Sequence, residues 1–387
     1  MGTKTDFLII GAGPFGLSMT AYAKHLNIDY KIVGRTMEFW KKNMPAGMRL
    51  RSGPDWHLDP LGEYTLVNFL KTKNISHENI SPIPINLYLE YVDWFRKEKQ
   101  IEPIQEYITK LDYYADKKHR FRAYLSNNEV IEAQFVLVAI GFGYFKNIPQ
   151  EMSSSLPNSY YSHTADLIDF SKLKSKNCII VGGRQSAFES ALLMKEAGVR
   201  EIDIVHRHKT PEFTHSDWGF VTPILDKMID DPDYYIKLSD LEKKEINDRF
   251  WQEGRLKLEP WLKELDQYED IGIYEQTNVC SSHITKDGNI EVILSNGTNL
   301  NADHLLFATG YKVDLQRVPF LKNGNILDKL ATNNGFPKLK AKFQSSLPGL
   351  YFTSLPATAD FGAFFGFTVS CNTSSMIIGN EIRNISS

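Results

Sequence analysis

The sequence predicts an α/β fold built from two strand–turn–helix units, and two glycine turns carry this prediction. The first turn, Gly11-Ala-Gly13-Pro14-Phe15-Gly16, follows an apolar run at residues 7–10 and opens an apolar helical stretch at residues 17–26. The second turn, Gly182-Gly-Arg184-Gln185-Ser186-Ala187, follows residues 178–181 and opens residues 188–197. A strand, a glycine turn and a helix in this order form the phosphate-binding part of a Rossmann-like unit, so the chain is predicted to contain two dinucleotide-binding domains.

Each glycine of the first turn has a physical role. Gly11 permits the tight turn, Gly13 lets the backbone approach a pyrophosphate, and Gly16 lets the helix pack closely on the strand. The N-terminus of the helix then faces the anion. Glycine turns also join strands to helices that bind no ligand, and this alternative stays open for either unit alone. The two units are about 170 residues apart, and together they favour two nucleotides that face each other.

The second strand of the first unit ends unusually. Residues 30–33 are followed by Gly34 and Arg35, where an acidic residue normally holds the ribose of the adenosine. Glu38 is then a candidate for the ribose, and Arg35 is a candidate for stacking on the adenine. The alternative is that both are solvated loop residues.

The corresponding strand of the second unit, residues 202–205, ends in the basic string His206-Arg207-His-Lys209. A cationic strand end is typical of a site for the extra 2′-phosphate of NADPH, so Arg207 is the predicted phosphate ligand. The alternative is a solvated basic loop.

Residues 37–60 are aromatic, basic and interrupted by proline, and they include Trp40, Arg51, His57 and Asp59. Such a segment is too polar for a core and too aromatic for a solvated linker. A loop that folds against a ligand explains both properties, so Trp40 is predicted to contact the cofactor. The alternative is a surface loop anchored by one tryptophan.

The remaining elements predict the domain organisation. Residues 216–270 are charged and have little strand character, which indicates inserted helices. A strand at residues 305–307 runs into a turn with Thr309 and Gly310 that can bring the chain back toward the first cofactor. The last segment resembles a further strand, a glycine turn with Asp360, and a closing helix. We therefore expect a discontinuous first domain at residues 1–155 and 302–387, with the second domain inserted at residues 156–301.

Composition narrows the class of protein. The 387 residues are 42% hydrophobic and 24% charged, as in a folded globular protein of two domains, and the net charge of −3 argues against a general nucleic-acid binder. The three cysteines, Cys178, Cys280 and Cys371, are far apart in sequence, so neither a dithiol relay nor a zinc site is predicted. No signal peptide and no apolar run of about 20 residues is present, so we expect a cytoplasmic protein with no membrane partner. A homo-oligomer is left open.

At this point the motifs match a known family. The two glycine turns and the string Asp303-x-x-x-Phe307-Ala-Thr309-Gly310-Tyr311 together resemble the FAD- and NADPH-dependent monooxygenases among the two-dinucleotide-binding flavoproteins. The last string is most similar to the microbial N-hydroxylating monooxygenases of siderophore biosynthesis. The resemblance implies an NADPH-binding domain inserted into an FAD-binding domain, with FAD on the first turn and NADPH on the second.

The chain also departs from that family. Arg184 stands where a middle glycine is usual, and its side chain either contacts the NADPH pyrophosphate or obstructs it. The Phe-x-Gly-x-x-x-His fingerprint of Baeyer–Villiger enzymes is incomplete, since Pro157 and Ser159 stand at the Phe and Gly positions before His163. No residues for an ornithine or lysine substrate are identified.

The resemblance implies an enzyme that inserts one oxygen atom from dioxygen into a small organic substrate, by N-hydroxylation or a related oxygenation. Because the cofactor carries this chemistry, no catalytic triad and no metal is expected, and Arg51, His57 and Asp59 are only candidate polar groups beside the flavin. Two alternatives remain: an FAD-dependent NADPH oxidase or reductase without oxygen insertion, and a flavin-binding redox sensor.

Overall fold

The computed structural model describes residues 2–76, 78 and 80–386. The strands, numbered along the chain, are β1 Thr3–Ile10, β2 Tyr30–Val33, β3 Arg49–Leu50, β4 Ile83–Pro84, β5 Ile108–Tyr113, β6 Phe121–Leu125, β7 Val130–Val138, β8 Tyr161–His163, β9 Asn177–Val181, β10 Glu201–Val205, β11 Ile271–Tyr274, β12 Val279–Ile284, β13 Ile290–Leu294, β14 Asn299–Ala302, β15 His304–Phe307, β16 Thr332–Asn333, β17 Phe336–Pro337 and β18 Leu350–Phe352.

The α-helices are α1 Pro14–His25, α2 Glu38–Lys42, α3 Leu66–Thr72, α4 Ile85–Glu98, α5 Gln150–Ser153, α6 Gln185–Glu196, α7 Thr222–Asp230, α8 Tyr234–Lys237, α9 Asp240–Phe250, α10 Pro319–Lys322, α11 Thr358–Phe361 and α12 Cys371–Ser386. A π-helical turn at Trp251–Arg255 follows α9, and a 3-10 segment lies at Pro260–Gln267. None of the described helices is long and apolar enough to cross a membrane.

The first sheet has the order β2-β1-β7-β6-β5, and β18 pairs with the second half of β7. The strands β1, β2, β7 and β18 run parallel, whereas β5 and β6 are antiparallel additions at one side. Residues 7–10 of β1 are fully buried, as expected for a strand covered on both faces. Helix α1 packs between this sheet and α12, where the Tyr22 hydroxyl donates to Asn380 Oδ1 at 3.0 Å.

The second sheet is entirely parallel and has the order β11-β10-β9-β15-β8. Helix α6 follows β9, so β9, α6 and β10 repeat the arrangement of β1, α1 and β2. The strand β15 lies in this second sheet, and the chain rejoins the first sheet only at β18. The prediction of an α/β fold with two Rossmann-like units is confirmed.

The segment 216–270 is largely helical, and its two halves pack on different cores. Val221, Leu225, Met228 and Phe250 belong to the core of the first sheet, whereas Leu258 and its neighbours further along the chain belong to the core around α6. The inserted segment therefore spans the space between the two sheets, and the turn at Trp251–Arg255 lies where it crosses.

Candidate functional site

The carboxyl ends of both sheets open onto one cavity of about 1980 Å³. In the first sheet Ile10 is in register with Val33 on one side and with Val138 on the other. In the second sheet Val181 is in register with both Val205 and Phe307. Ligands of open α/β sheets bind outside the carboxyl ends of the strands. Single-ligand pockets usually measure about 300–1,000 Å³, so this cavity is large enough for more than one ligand.

The first glycine turn has the geometry of a diphosphate site. A Cβ on Gly11, where φ is +110°, would lie 2.3 Å from the Ala139 carbonyl oxygen, and a Cβ on Gly16 would lie 1.8 Å from the Gly11 carbonyl oxygen. These two glycines permit close backbone packing. Within the described part of the chain, a Cβ on Gly13 would meet nothing within 4 Å and no side chain caps α1, so the first N–H groups of the helix are open to an anion. The residues present fit a dinucleotide.

The second turn repeats this design with two differences. A Cβ on Gly182 would lie 2.5 Å from the Ala308 carbonyl oxygen, and one on Gly183 would lie 2.3 Å from the His206 ring. Helix α6 also has no side-chain cap. The guanidinium of Arg184 lies 5.0 Å from the centroid of Trp251 and donates from Nη1 to the Arg255 carbonyl oxygen at 3.3 Å, so this side chain is held against the inserted segment.

At the end of β2, the two candidate residues for the adenosine, Arg35 and Glu38, contact each other and the side chain of Tyr107. The Tyr107 hydroxyl donates to the Glu38 carboxylate at 2.6 Å, and the guanidinium of Arg35 lies 4.7 Å above the Tyr107 ring. Arg35 Nη1 is also 3.6 Å from Glu38 Oε1. Arg35 and Glu38 both line the cavity, and the Glu38 carboxylate is already engaged by Tyr107 and by Lys42 Nζ at 3.0 Å.

The structure brings most of the predicted site residues to this cavity. Those that line it are Gly11, Gly13, Pro14, Phe15, Arg35, Glu38, Trp40, Arg51, Gly182, Arg184, Gln185, Ser186, Arg207, Thr309 and Gly310. Gly16 and Ala187 lie behind the two turns, where they pack helix on strand and do not face the cavity.

Two of the candidate polar groups, His57 and Asp59, form hydrogen bonds within their own loop and do not line the cavity. The buried Asp59 carboxylate accepts hydrogen bonds from the main-chain N–H groups of Leu61, Glu63 and Tyr64, and Lys99 Nζ lies 3.3 Å from it. His57 Nδ1 accepts from the Asp59 N–H at 3.2 Å, and burial lowers the pKa of this imidazole. Neither side chain lines the cavity, because the loop turns both inward to satisfy its own backbone.

Asp360 also lies outside the cavity. Its Oδ2 accepts from the Leu339 N–H at 2.8 Å, so this carboxylate ties α11 to a neighbouring loop. The cavity wall near this end of the chain is formed instead by residues that include Ser354. Ser354 follows β18 with φ +63° and ψ −147°, a conformation that is rare outside glycine and is concentrated at functional sites.

The turn that contains Thr309 and Gly310 is held in place by hydrogen bonds to neighbouring segments. The Thr309 hydroxyl donates to the Asn147 carbonyl oxygen, and the Asn147 N–H donates to the Gly310 carbonyl oxygen at 2.9 Å. His163 Nε2 lies 2.9 Å from the same Gly310 oxygen. Asp303 accepts from the Asn177 N–H at the start of β9. These contacts hold the turn after β15 against the cavity.

Two buried carboxylates, one lining the cavity and one beside it, were missed by the sequence reasoning. Glu189, on α6, accepts from the Arg49 N–H at 2.7 Å through Oε1, while its Oε2 has no hydrogen-bond partner among the described residues. Burial raises the pKa of this carboxyl to about 7. The second residue is Glu259, whose Oε1 accepts from Arg51 Nε at 2.9 Å. In the sequence, Glu189 could have been recognised as a buried carboxylate because it lies within the apolar face of a predicted helix. No feature of the neighbouring sequence distinguishes Glu259.

Two sheets face one cavity, and each carries an open glycine turn after a strand with parallel neighbours. This arrangement defines a two-dinucleotide-binding flavoprotein oxidoreductase. Residues 8–246 match the model of the pyridine nucleotide-disulphide oxidoreductases, and the chain belongs to this family.

Sequence comparison finds relatives of low identity. The chain is 23% identical over 374 residues to an uncharacterized oxidoreductase of Geobacillus kaustophilus, with 91% of each chain covered. It is 22% identical over 337 residues to a probable indole-3-pyruvate monooxygenase of Arabidopsis thaliana, with 82% of this chain and 81% of the relative covered. An FAD-dependent urate hydroxylase of Xanthomonas campestris matches at 25% over 131 residues, which is 33% of this chain and 28% of that relative.

Structural comparison extends over the whole chain. An ornithine hydroxylase of Pseudomonas aeruginosa superposes with a TM-score of 0.79 at 14% identity, and a bacillithiol disulfide reductase of Staphylococcus aureus superposes with a TM-score of 0.69 at 19% identity, with 100% of each chain covered in both cases. At these identities the likeness concerns the fold. The predicted resemblance to flavin monooxygenases is confirmed, and the fold is shared with a reductase as well.

Proposed function

We propose that the protein is an FAD- and NADPH-dependent monooxygenase that inserts one oxygen atom from dioxygen into a small organic substrate. The observation that carries this proposal is that both open glycine turns line one continuous cavity. Two dinucleotides bound there would bring their reactive rings toward the same space. A bound FAD would supply the redox chemistry between NADPH and dioxygen.

The protein groups then have defined tasks. The free N–H groups at the start of α1 hold the FAD diphosphate, and those at the start of α6 hold the NADPH diphosphate together with Arg184. Arg207 binds the 2′-phosphate, because it is exposed at the rim beyond β10 and lines the cavity.

Aromatic rings form the wall between the two turns, and they keep water from the space where oxygen is transferred. Phe142 and Tyr311 meet edge to face with centroids 4.8 Å apart, and Phe142 also contacts Phe367 at 6.4 Å. Because burial raises the pKa of the Glu189 carboxyl to about 7, this side chain of the cavity wall is neutral at lower pH.

The alternatives are a flavin-dependent NADPH oxidase or reductase and a redox sensor. Exchange with a disulfide substrate through a cysteine pair is disfavoured, because Cys178 and Cys371 are buried, Cys280 is exposed elsewhere, and none of the three lines the cavity. Against the sensor, Arg184 is held on Trp251, which leaves the second turn accessible.

One experiment separates the three candidates. Purified, flavin-loaded protein is mixed with NADPH in air while NADPH, dioxygen and hydrogen peroxide are measured, with amines, ketones, thioethers and aromatic carboxylates as candidate substrates. A monooxygenase consumes NADPH and dioxygen together and forms an oxygenated product. Hydrogen peroxide in stoichiometric amount with every substrate would establish the oxidase, and negligible NADPH turnover would establish the sensor.

A further inference from the structure

Three arginines meet where the inserted segment closes over the cavity, and we call Arg51, Arg184 and Arg255 the arginine cluster. Arg184 donates to the main-chain carbonyl of Arg255, and all three side chains belong to cavity-lining residues. Burial, and then the charges of Arg51 and Arg184, lower the pKa of Arg255 to about 10. The pKa of Arg184 is lowered by burial and by Arg207. Several like charges are therefore crowded in a partly desolvated place.

The protein neutralises only part of this charge. Glu259 pairs with Arg51, and within the described part of the chain no carboxylate forms an ion pair with Arg184 or Arg255. The nearby Glu189 is protonated below about pH 7. Uncompensated buried charge is costly, and it is commonly retained where a ligand of opposite charge completes the site.

The arginine cluster also has unused hydrogen-bond donors. Arg51 uses Nε for Glu259 and Nη2 for the carbonyl oxygens of Gly254 and Lys257. Its Nη1 is buried and has no hydrogen-bond partner among the residues that the structure describes. The side chain of Arg255 has no hydrogen-bond partner in the described residues either. Its guanidinium carbon lies 5.2 Å from the Phe367 centroid, an arrangement in which the N–H groups of a planar guanidinium stay available at its edges.

Next to these donors stands an aromatic wall formed by Trp218, Phe250 and Phe367. The Trp218 and Phe250 centroids are 5.2 Å apart, and those of Phe250 and Phe367 are 5.7 Å apart. The wall packs on the π-helical turn through Gly254, where a Cβ would lie 1.9 Å from the Trp218 ring. Trp218 Nε1 is buried, and no described residue accepts a hydrogen bond from it. The site thus combines anion-binding donors with flat apolar surfaces.

We propose that Arg51 and Arg255 bind the anionic group of the substrate, a planar aromatic or heteroaromatic carboxylate or comparable organic anion, whose ring lies on the aromatic wall. This inference rests on the proposed monooxygenase function. Phosphates of the dinucleotides are the other source of an anion. They are disfavoured because each glycine turn has its own N–H donors, and because an aromatic wall suits a flat organic body better than a ribose phosphate.

The first test needs no variant. Flavin-loaded protein is titrated calorimetrically with benzoate and naphthalene-2-carboxylate, and with their neutral isosteres benzamide and naphthalene-2-carboxamide. At least one carboxylate should bind about 10- to 100-fold more tightly than its amide, as expected for charge-assisted hydrogen bonds. Saturation with NADP⁺ should leave that affinity unchanged. Equal affinities within both pairs, or displacement of the carboxylate by NADP⁺, would overturn the inference.

The second test locates the site. Arg255→Gln should weaken carboxylate binding by at least about tenfold and leave amide binding and the KM for NADPH unchanged, and Arg255→Lys should restore part of the loss. Lys257→Gln is the matched control, because Lys257 carries the same charge nearby, pairs with Glu253 and does not line the cavity. A tenfold rise in the KM for NADPH with unchanged carboxylate binding would assign Arg255 to the dinucleotide and overturn the inference.

Different results would exclude the proposed monooxygenase function and the proposed anion site. Preferential carboxylate binding without NADPH-dependent oxygen consumption would support the anion site and exclude the monooxygenase function. NADPH-dependent product formation from neutral substrates, with no preference for any carboxylate, would support the monooxygenase function and exclude the anion site.

Discussion

The main-chain N–H of Arg49 donates to Oε1 of Glu189 at 2.7 Å, and this bond joins the loop beside the first sheet to helix α6 of the second. Because Glu189 is buried, the pKa of its carboxyl rises from 4.5 to about 7. The neutral form is therefore the one that the folded protein favours. Between these two pH values the unfolded chain loses this proton and the folded chain keeps it, so stability falls as pH rises.

Glu189→Gln removes this titration. We expect the free energy of unfolding of the variant, relative to the natural chain, to rise by about 3 kcal/mol between pH 4.5 and pH 8, because one pKa unit corresponds to about 1.4 kcal/mol. Urea unfolding at several pH values measures the difference. Glu196→Gln, on the exposed part of the same helix, is the control. A difference that stays constant with pH would contradict the assignment.

Gly13→Ala should separate cofactor binding from folding. A Cβ at this position meets no protein atom within 4 Å, so the melting temperature of the flavin-free protein should not change. The added methyl group lies where the diphosphate approaches, and FAD affinity should fall by at least about tenfold.

The comparison variant for this prediction is Gly16→Ala, whose Cβ would lie 1.8 Å from the Gly11 carbonyl oxygen and should destabilise the fold itself. The flavin-to-protein absorbance ratio and thermal unfolding are measured for both variants. Full flavin content in Gly13→Ala would place the diphosphate elsewhere.

Arg207→Ala should reduce the preference for NADPH over NADH. A charge-assisted hydrogen bond to the 2′-phosphate contributes about 1.5–3 kcal/mol, which corresponds to about 10- to 100-fold in the ratio of the two KM values. Lys209→Ala is the control, because Lys209 is exposed in the same loop but does not line the cavity. An unchanged ratio in Arg207→Ala would move the phosphate site to another residue.

Asp59→Ala should affect stability and not chemistry. Its carboxylate satisfies three main-chain N–H groups, and their loss inside a buried loop should lower the free energy of unfolding by about 2–4 kcal/mol. The rate of NADPH oxidation per bound flavin should stay within about twofold. The exposed Asp55→Ala serves as the control. An unaltered unfolding curve together with lost activity would support the placement of Asp59 beside the flavin.

Local sequence was sufficient for the parts of the site that one short segment builds. The apolar run before Gly11, the glycine spacing and the following helix specify one strand–turn–helix unit, because backbone sterics and burial act over neighbouring residues. The same argument held for Gly182 and its helix. Candidate ligands that flank these turns, such as Arg35 and Arg207, also lie at the cavity.

The same reasoning did not extend to side chains whose partners lie elsewhere in the chain. Polar residues of the loop at 37–60 look alike in sequence, yet Arg51 faces the cavity whereas His57 and Asp59 turn inward to the loop backbone. The position of Asp360 could not be predicted for the same reason, since its hydrogen-bond partner Leu339 is 21 positions away. Which of several polar groups meets a ligand depends on which backbone groups are left unsatisfied after folding.

The sequence by itself determined two nucleotide-binding units and their order, because strand, turn and helix signals are encoded within about 25 residues each. Only the tertiary structure decided that Arg51 would pair with Glu259, 208 positions away, and that Arg255 would lie on Phe367. These contacts form because the inserted segment packs across both cores, and that docking depends on the shape of surfaces assembled from distant parts of the chain.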